Sequence, residues 1–344
     1  MDKKKKILVV FTGGTIGSDS DGKNVSLSGG SRKMLIDLFY GRYGENVRFD
    51  ELSPINILSE NVQINDLKKL YDCVKGADIC RYDGVIVTHG TDTLTFTVNW
   101  FSQVLCDAPV PLIFVSALYP LTDPRSNGLD NFAGAVTFIE EGGPRGVYCA
   151  FKNDGENCKI HLASRLVYPD EITGFYRSAA GAHFAEIAGG KVVYNNSPLL
   201  PTPEEAAENA CAPLPPLLSD NVLLITMRSL LNFSVYDFSR VKPKAVIVEL
   251  SHSGTVCTEG GELNFLKFAD YCEKCGVEVV IAPVMSRAGI YASMKNLPEN
   301  VTVSYDLTIE MTIVKVMCAL GASLKAGAYL GEEKAFEKIP FPQV

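Results

Sequence analysis

The sequence has little that would hold a polyanion or cross a bilayer. Its 344 residues carry 32 Lys and Arg against 40 Asp and Glu, a net charge of -8. No basic field exists to grip nucleic acid. The one basic run, Lys3 to Lys6, sits at the terminus and reads as a solvated end. No apolar run approaches the ~20 residues of a membrane helix. Ile7 to Phe11, behind those lysines, is too short for a signal peptide and leads into a glycine turn instead of a cleavage region. We therefore expect no membrane association and a cytoplasmic location. Histidine is scarce: of four, neither His89 nor His252 has metal-ligand spacing. Ten cysteines form no framework. The lone C-x-x-C, Cys272 and Cys275, has no second pair to complete a zinc site, so buried reduced thiols are expected. No metal or cofactor is called for. Internal repeats and low-complexity segments are absent as well.

Two nucleotide-binding patterns also fail. Gly17 to Asn24 (Gly-Ser-Asp-Ser-Asp-Gly-Lys-Asn) approaches a P-loop but ends in Asn where Ser or Thr must reach magnesium. Asp19 and Asp21 would repel phosphate. Thr12 to Gly17 lacks the first glycine of the dinucleotide fingerprint. There is no Gly-x-Ser-x-Gly elbow, which argues against a standard α/β-hydrolase.

What is present is an α/β pattern. Apolar runs with the look of buried strands occur at Ile7–Phe11, Val85–Thr88, Leu112–Val115, Val147–Phe151, Val222–Thr226, Ala245–Leu250, Val277–Ala282 and Val301–Tyr305. Helical spacing lies between many of them, at Asn65–Lys75, Thr93–Cys106, Leu129–Glu140, Glu262–Cys275 and Thr308–Leu324. Strands alternating with helices predict parallel sheets covered on both faces. Pro198, Pro201, Pro203, Pro213, Pro215 and Pro216 crowd one window and suggest a semi-rigid connector. The expected division is an N-terminal α/β domain over 1–194, a Pro-rich linker over 195–219 and a smaller α/β domain over 220–344. The Gly-, Ser- and Asp-rich loop from Ser18 to Ser31 reads as a lid or an ordinary surface loop.

Two strands end alike. Ile7 to Gly17 runs Ile-Leu-Val-Val-Phe-Thr-Gly-Gly-Thr-Ile-Gly, and Val85 to Thr93 runs Val-Ile-Val-Thr-His-Gly-Thr-Asp-Thr. Open α/β sheets place ligands at the carboxyl ends of their strands. A hydroxyl among glycines is open to a substrate, and neighbouring backbone amides can stabilise an oxyanion. A threonine becomes a useful nucleophile once a base takes its proton. Thr12 and Thr15 are the candidates in the first turn. In the second, Thr91 offers another hydroxyl and Asp92 an anchor for an amine. The plain alternative is that each Gly-Thr turn only caps the next helix.

Thr12-Gly13-Gly14-Thr15-Ile16-Gly17 and His89-Gly90-Thr91-Asp92-Thr93 resemble the two signature motifs of the bacterial-type L-asparaginase/glutaminase family. Leu58-Ser59-Glu60-Asn61 resembles its substrate-carboxylate segment, and Val115 to Pro120 the strand and turn after the second motif's helix. Asp306 to Glu310, with Lys315 beyond, resembles the C-terminal helix start of cytoplasmic-type members. Nearly the whole chain is covered. The resemblance implies a Rossmann/flavodoxin-like N-terminal domain with a smaller α/β domain after it. It implies hydrolysis of a side-chain amide, asparagine to aspartate and ammonia, through an acyl-threonine. It also implies a homodimer or homotetramer with sites near an intersubunit boundary. By that resemblance Thr15 is the nucleophile and Thr91 the second catalytic hydroxyl. Gly14, Ser59, Glu60, Gly90 and Asp92 bind the substrate, Asp92 taking its α-amine.

Two positions depart from the family. The lid tyrosine that orients the nucleophile is missing, and Asn24 stands at the matching place. The lysine that works with Thr91 and Asp92 matches Arg165, with Lys159 as the other candidate. An arginine holds Asp92 electrostatically but cannot serve as a base. Three outcomes follow: catalysis with a changed relay, another amide such as glutamine as substrate, or amino-acid binding without turnover. The related amidotransferase that acts on glutamyl-tRNA carries an extra barrel before its first signature. Here the signature begins at Thr12, and the acidic balance also speaks against tRNA.

Overall fold

A computed structural model describes residues 4–14, 18–20, 25–27, 30–228, 230–285 and 294–340. The chain forms two compact units, Met1–Leu214 with Lys334–Phe336, and Pro215–Glu333 with Glu337–Val344.

The first unit is built on an eight-stranded sheet. Its strands are β1 (Lys5–Phe11), β4 (Val47–Leu52), β5 (Gly84–Thr88), β6 (Pro111–Val115), β7 (Gly146–Phe151), β8 (Cys158–Leu162), β9 (Ala185–Ala188) and β10 (Lys191–Tyr194). The order is β10-β9-β8-β7-β6-β5-β1-β4, parallel from β4 to β7 and antiparallel beyond. A small antiparallel pair, β2 (Ser18–Ser20) and β3 (Val25–Leu27), stands apart. Helices α1 (Gly30–Tyr43), α2 (Ile64–Gly76), α3 (Leu94–Val104) and α4 (Gly128–Glu140) cover the sheet, and the short α5 (Pro203–Glu208) follows. Strand alternation divides the core. Ile7, Val9, Phe11, Ile113 and Val115 join Leu35, Ile36 and Phe39 of α1 and Phe132 to Ile139 of α4. Phe114, pointing the other way, meets Phe101 of α3 at 5.0 Å between ring centroids. Setting aside the small pair, the parallel part runs second-first-third-fourth-fifth. Its direction reverses between β1 and β5, the switch point where such sheets hold ligands.

The second unit has a four-stranded parallel sheet, β11 (Val222–Thr226), β12 (Ala245–Glu249), β13 (Glu278–Val284) and β14 (Val301–Tyr305) in that order. Val246, Val248 and Val279 pack against Phe265, Phe268, Ala269 and Cys272 of α6 (Phe265–Cys275). Helix α7 (Ile309–Gly321) follows β14. Its Lys315 is fully buried, and the ammonium meets the Glu337 carboxylate at 2.6 Å and the carbonyls of Tyr329 and Glu332. The mixed α/β class read from the sequence is what the structure shows, with a mostly parallel sheet and a smaller one.

Several elements escaped the sequence reading. Strand β4 (Val-Arg-Phe-Asp-Glu-Leu) lies at the sheet edge and buries only Val47 fully, so it has no apolar run. Helix α1 buries Leu35, Ile36 and Phe39 but also turns Leu38 and Tyr43 outward, which blurs its stripe. The basic end is not wholly solvated. Lys5 and Lys6 open β1 and pair with Asp83 and Asp50 at 3.1 and 2.8 Å, because the neighbouring carboxylates face them across the sheet. The cysteine expectation also needs correction. Cys106 and Cys211, 105 residues apart, form a disulfide with their Cα atoms 6.1 Å apart. The fold brings together two residues that no local spacing links. The other eight cysteines remain thiols, and burial pushes the pKa of Cys272 up to about 12.

Candidate active site

The site begins with register. Phe11 of β1 lies beside Thr88 of β5, so both glycine turns leave the sheet at one level. Thr12 Oγ1 donates to Thr88 O at 2.7 Å, so this buried hydroxyl is already engaged in joining the strand ends. Beyond it the chain pairs with the segment after β4. Ile57 N donates to Thr12 O and Gly14 N to Ile57 O, at 3.0 and 3.1 Å. That pairing delivers the 3-10 turn Ser59–Asn61 to the mouth of the two turns.

Here the glycines are a matter of space. Gly14 has φ +72°, and a Cβ on it would lie 2.4 Å from Gly90 N. A Cβ on Gly90 would lie 2.4 Å from Ser59 Oγ. The turns are pressed backbone to backbone, and Ser59 fills the remaining space. Its hydroxyl donates to Asp92 Oδ2 at 3.3 Å and accepts from Asp92 N at 3.2 Å. Thr93 Oγ1 donates to Ser59 O at 3.0 Å. Three chain segments far apart in sequence therefore converge on Thr91-Asp92.

Asp92 and Glu60 are exposed, so their carboxylates face solvent where a cationic group can enter. His89 points inward. It is buried, its Nδ1 lies 2.8 Å from Gly90 O, and burial lowers its pKa. Ser116 Oγ donates to His89 O at 2.6 Å and His89 N to Val115 O at 2.8 Å. A neutral histidine with these bonds braces the turn. His252 lies in the second unit, on an exposed turn after β12.

The two cation candidates are placed elsewhere. Arg165, buried in the 3-10 turn after β8, donates from Nε to Phe336 O at 2.5 Å and from Nη1 to Leu199 O. Lys159 pairs with Glu156 at 2.6 Å. Among the described residues neither reaches Asp92. The guanidinium was expected to face the Thr91-Asp92 turn; the carbonyls of Leu199 and Phe336 draw it away. Thr15, Asn24 and, within the Ser18 to Ser31 loop, residues 21–24 and 28–29 lie outside the described residues.

One neighbour of the turn escaped the sequence reading. Tyr176 Oη donates to Thr91 O at 2.7 Å. A side chain bonding a backbone oxygen leaves no motif.

With this geometry in hand, comparisons with known proteins give a consistent result. The chain matches the family described as "Asparaginase, N-terminal" over residues 6–200. It is 26% identical over 328 residues to the L-asparaginase of Thermococcus kodakarensis, covering 92% of this chain and 93% of that protein. It is 30% identical over 137 residues to the L-asparaginase 1 of Escherichia coli K12, covering 39% of this chain and 40% of that one. Among solved structures it resembles the thermostable L-asparaginase from Thermococcus kodakarensis, with a TM-score of 0.78 at 24% identity over 98% of this chain and 100% of that one.

Proposed function

Because this chain belongs to the asparaginase family, we propose that it hydrolyses L-asparagine to L-aspartate and ammonia through an acyl-enzyme on Thr15. The observation that carries this reading is the convergence of the Gly14 and Gly90 turns on Ser59 and Asp92. The Asp92 carboxylate takes the substrate's α-ammonium as a charge-assisted hydrogen bond. Ser59, which both donates to and accepts from Asp92, keeps that carboxylate aimed at the mouth. Glu60 adds a second negative charge beside the ammonium, and Gly14 and Gly90 let the two turns and Ser59 pack close enough to hold Asp92.

The reaction has two halves. Thr15 Oγ1 bonds to the side-chain amide carbon as the C–N bond breaks. The threonine proton ends on the nitrogen, which leaves as ammonia. Water then adds to the acyl carbon as the ester bond to Thr15 Oγ1 breaks, the water oxygen completing aspartate and a proton returning to Thr15. Thr91 supplies the second hydroxyl, passing a proton in each half.

Ammonia release from L-asparagine, with L-glutamine and D-asparagine alongside, tests the reading. Thr15→Ala should abolish turnover, and Thr91→Val should cost roughly 10²-fold or more if proton transfer runs through it. Undiminished activity in Thr15→Ala would refute the nucleophile assignment. A second reading rests on a specific observation: neither Arg165 nor Lys159 meets Asp92. On that reading the protein binds an amino acid without turning it over, and an acyl-Thr15 adduct in mass spectrometry excludes it. We place the protein in the cytoplasm by its resemblance to cytoplasmic-type members over Asp306 to Glu310, and as a homodimer or homotetramer, to be measured by sedimentation equilibrium.

A further inference from the structure

The segment after β8 turns back on itself. Leu166 bridges to Ser178, Val167 N donates to Arg177 O, and Asp170 N donates to Phe175 O, which makes an irregular hairpin. It rests on α3, where Asn99 Nδ2 donates to Leu166 O at 2.9 Å. Within it Tyr176 is held on every side. Asn153 acts as a strand partner in side-chain form: its Oδ1 accepts from Tyr176 N and its Nδ2 donates to Tyr176 O, both at 3.0 Å. The ring packs on Phe151, 4.5 Å between centroids, and the residue is 1% exposed. The rigid ring brings its hydroxyl to Thr91 O at 2.7 Å. Burial, with Cys149 and Asp92 adding to it, pushes the phenol far above its ordinary value, so it stays a neutral donor.

We infer that Tyr176 is a positioning residue for Thr91, holding the second turn through its backbone carbonyl; this rests on the proposed asparaginase chemistry. The two halves of the turn have separate tethers. Asp92 is held by Ser59 through its carboxylate and its N–H. The Thr91 carbonyl is held by Tyr176, together with the Leu94 N–H of α3 at 3.2 Å. Substrate affinity depends on Asp92 and turnover on the placement of the Thr91 hydroxyl. Losing the phenol should therefore reach kcat before KM. Small misplacements of a reacting group cost rates far out of proportion to the bond lost.

Tyr176→Phe tests this against a matched control. Tyr148 is an equally buried tyrosine in the same unit, and its hydroxyl donates to Arg145 O at 3.1 Å. Both variants lose one bond from a buried phenol to a backbone carbonyl. At a temperature well below both melting points, Tyr176→Phe should lower kcat about tenfold or more, with KM for asparagine within about threefold. Tyr148→Phe should keep the wild-type kcat. Hydrogen exchange of the 89–94 peptide should quicken in Tyr176→Phe and not in Tyr148→Phe. The inference fails if Tyr176→Phe keeps its kcat, loses no more than the control, or leaves that peptide's exchange unchanged. If the wild-type protein releases ammonia from no amide, the asparaginase reading falls, and exchange still decides whether Tyr176 holds the turn.

Discussion

Replacing Lys315 by methionine removes an ammonium that is fully buried in α7 of the second unit. An ammonium has three N–H donors. Here they match three acceptors, the Glu337 carboxylate at 2.6 Å, Tyr329 O at 3.2 Å and Glu332 O. Both side chains of the pair are 0% exposed. Methionine is of similar length but donates nothing. It takes the Lys315 ammonium away from the buried Glu337 carboxylate and one donor away from each of two carbonyls. Breaking a buried pair by removing one partner costs about 3–5 kcal/mol, a large share of the roughly 5–15 kcal/mol that holds a typical protein folded. Removing both charges is different, since a well-packed apolar pair of similar volume is often neutral or better. Lys315→Met should therefore be strongly destabilising, and Lys315→Met with Glu337→Leu should recover most of the loss. Urea unfolding followed by far-UV circular dichroism, with exchange of the α7 amides, reads the effect where it occurs. Fluorescence would miss it, because the single tryptophan, Trp100, lies in α3 of the first unit. A single variant within about 1 kcal/mol of wild type, or a double variant no better than the single, would refute the reasoning.

Two further expectations concern the first unit. In Gly90→Ala the new methyl would fall 2.4 Å from Ser59 Oγ and 2.6 Å from Ser59 Cβ. Ser59 must then leave Asp92, so kcat/KM for asparagine should fall by roughly 10²-fold. Folding should weaken by only about 1–3 kcal/mol in a urea titration. His161 is buried, with Nδ1 2.8 Å from Ser178 Oγ, and its pKa is lowered to about 3 by burial first and by His183 next. The unfolded chain protonates this histidine near 6.5 and the folded chain only near 3. Its stabilising share is thus complete above about pH 6.5 and is lost as pH falls, at about 1.4 kcal/mol per pH unit. His89, also lowered by burial, acts in the same direction. His161→Asn should flatten the stability slope between about pH 6.5 and 5, measured by urea midpoints; an unchanged slope counts against a neutral buried His161.

The strands that carry the site were legible because they are buried on both faces. Val85 to Val87 is apolar without interruption and lies between Gly84 and Gly90, a span too short for a helix. Thr91, Asp92 and Ser59 were legible through family resemblance, since nothing local tells Ser59 apart from a surface serine. The direction of Arg165 was not legible. Carbonyls 34 and 171 residues away in sequence decide it, and every residue type supplies the same carbonyl. Tyr176 escaped for the same reason, because its partner is the backbone of Thr91. The bond between Cys106 and Cys211 escaped because the chain between them is folded into most of a domain.

The place of β1 in the sheet has a consequence for synthesis. It lies between β4 and β5, and its neighbour Thr88 is 77 positions beyond Phe11. At roughly 5–20 residues per second, the ribosome needs about 4–15 seconds to make that stretch. For that interval the apolar Ile-Leu-Val-Val-Phe has no β5 edge to join. The two glycine turns cannot meet until it does. The nascent chain thus carries half of its candidate site on a strand that meets one edge partner, β4, well before the other, β5.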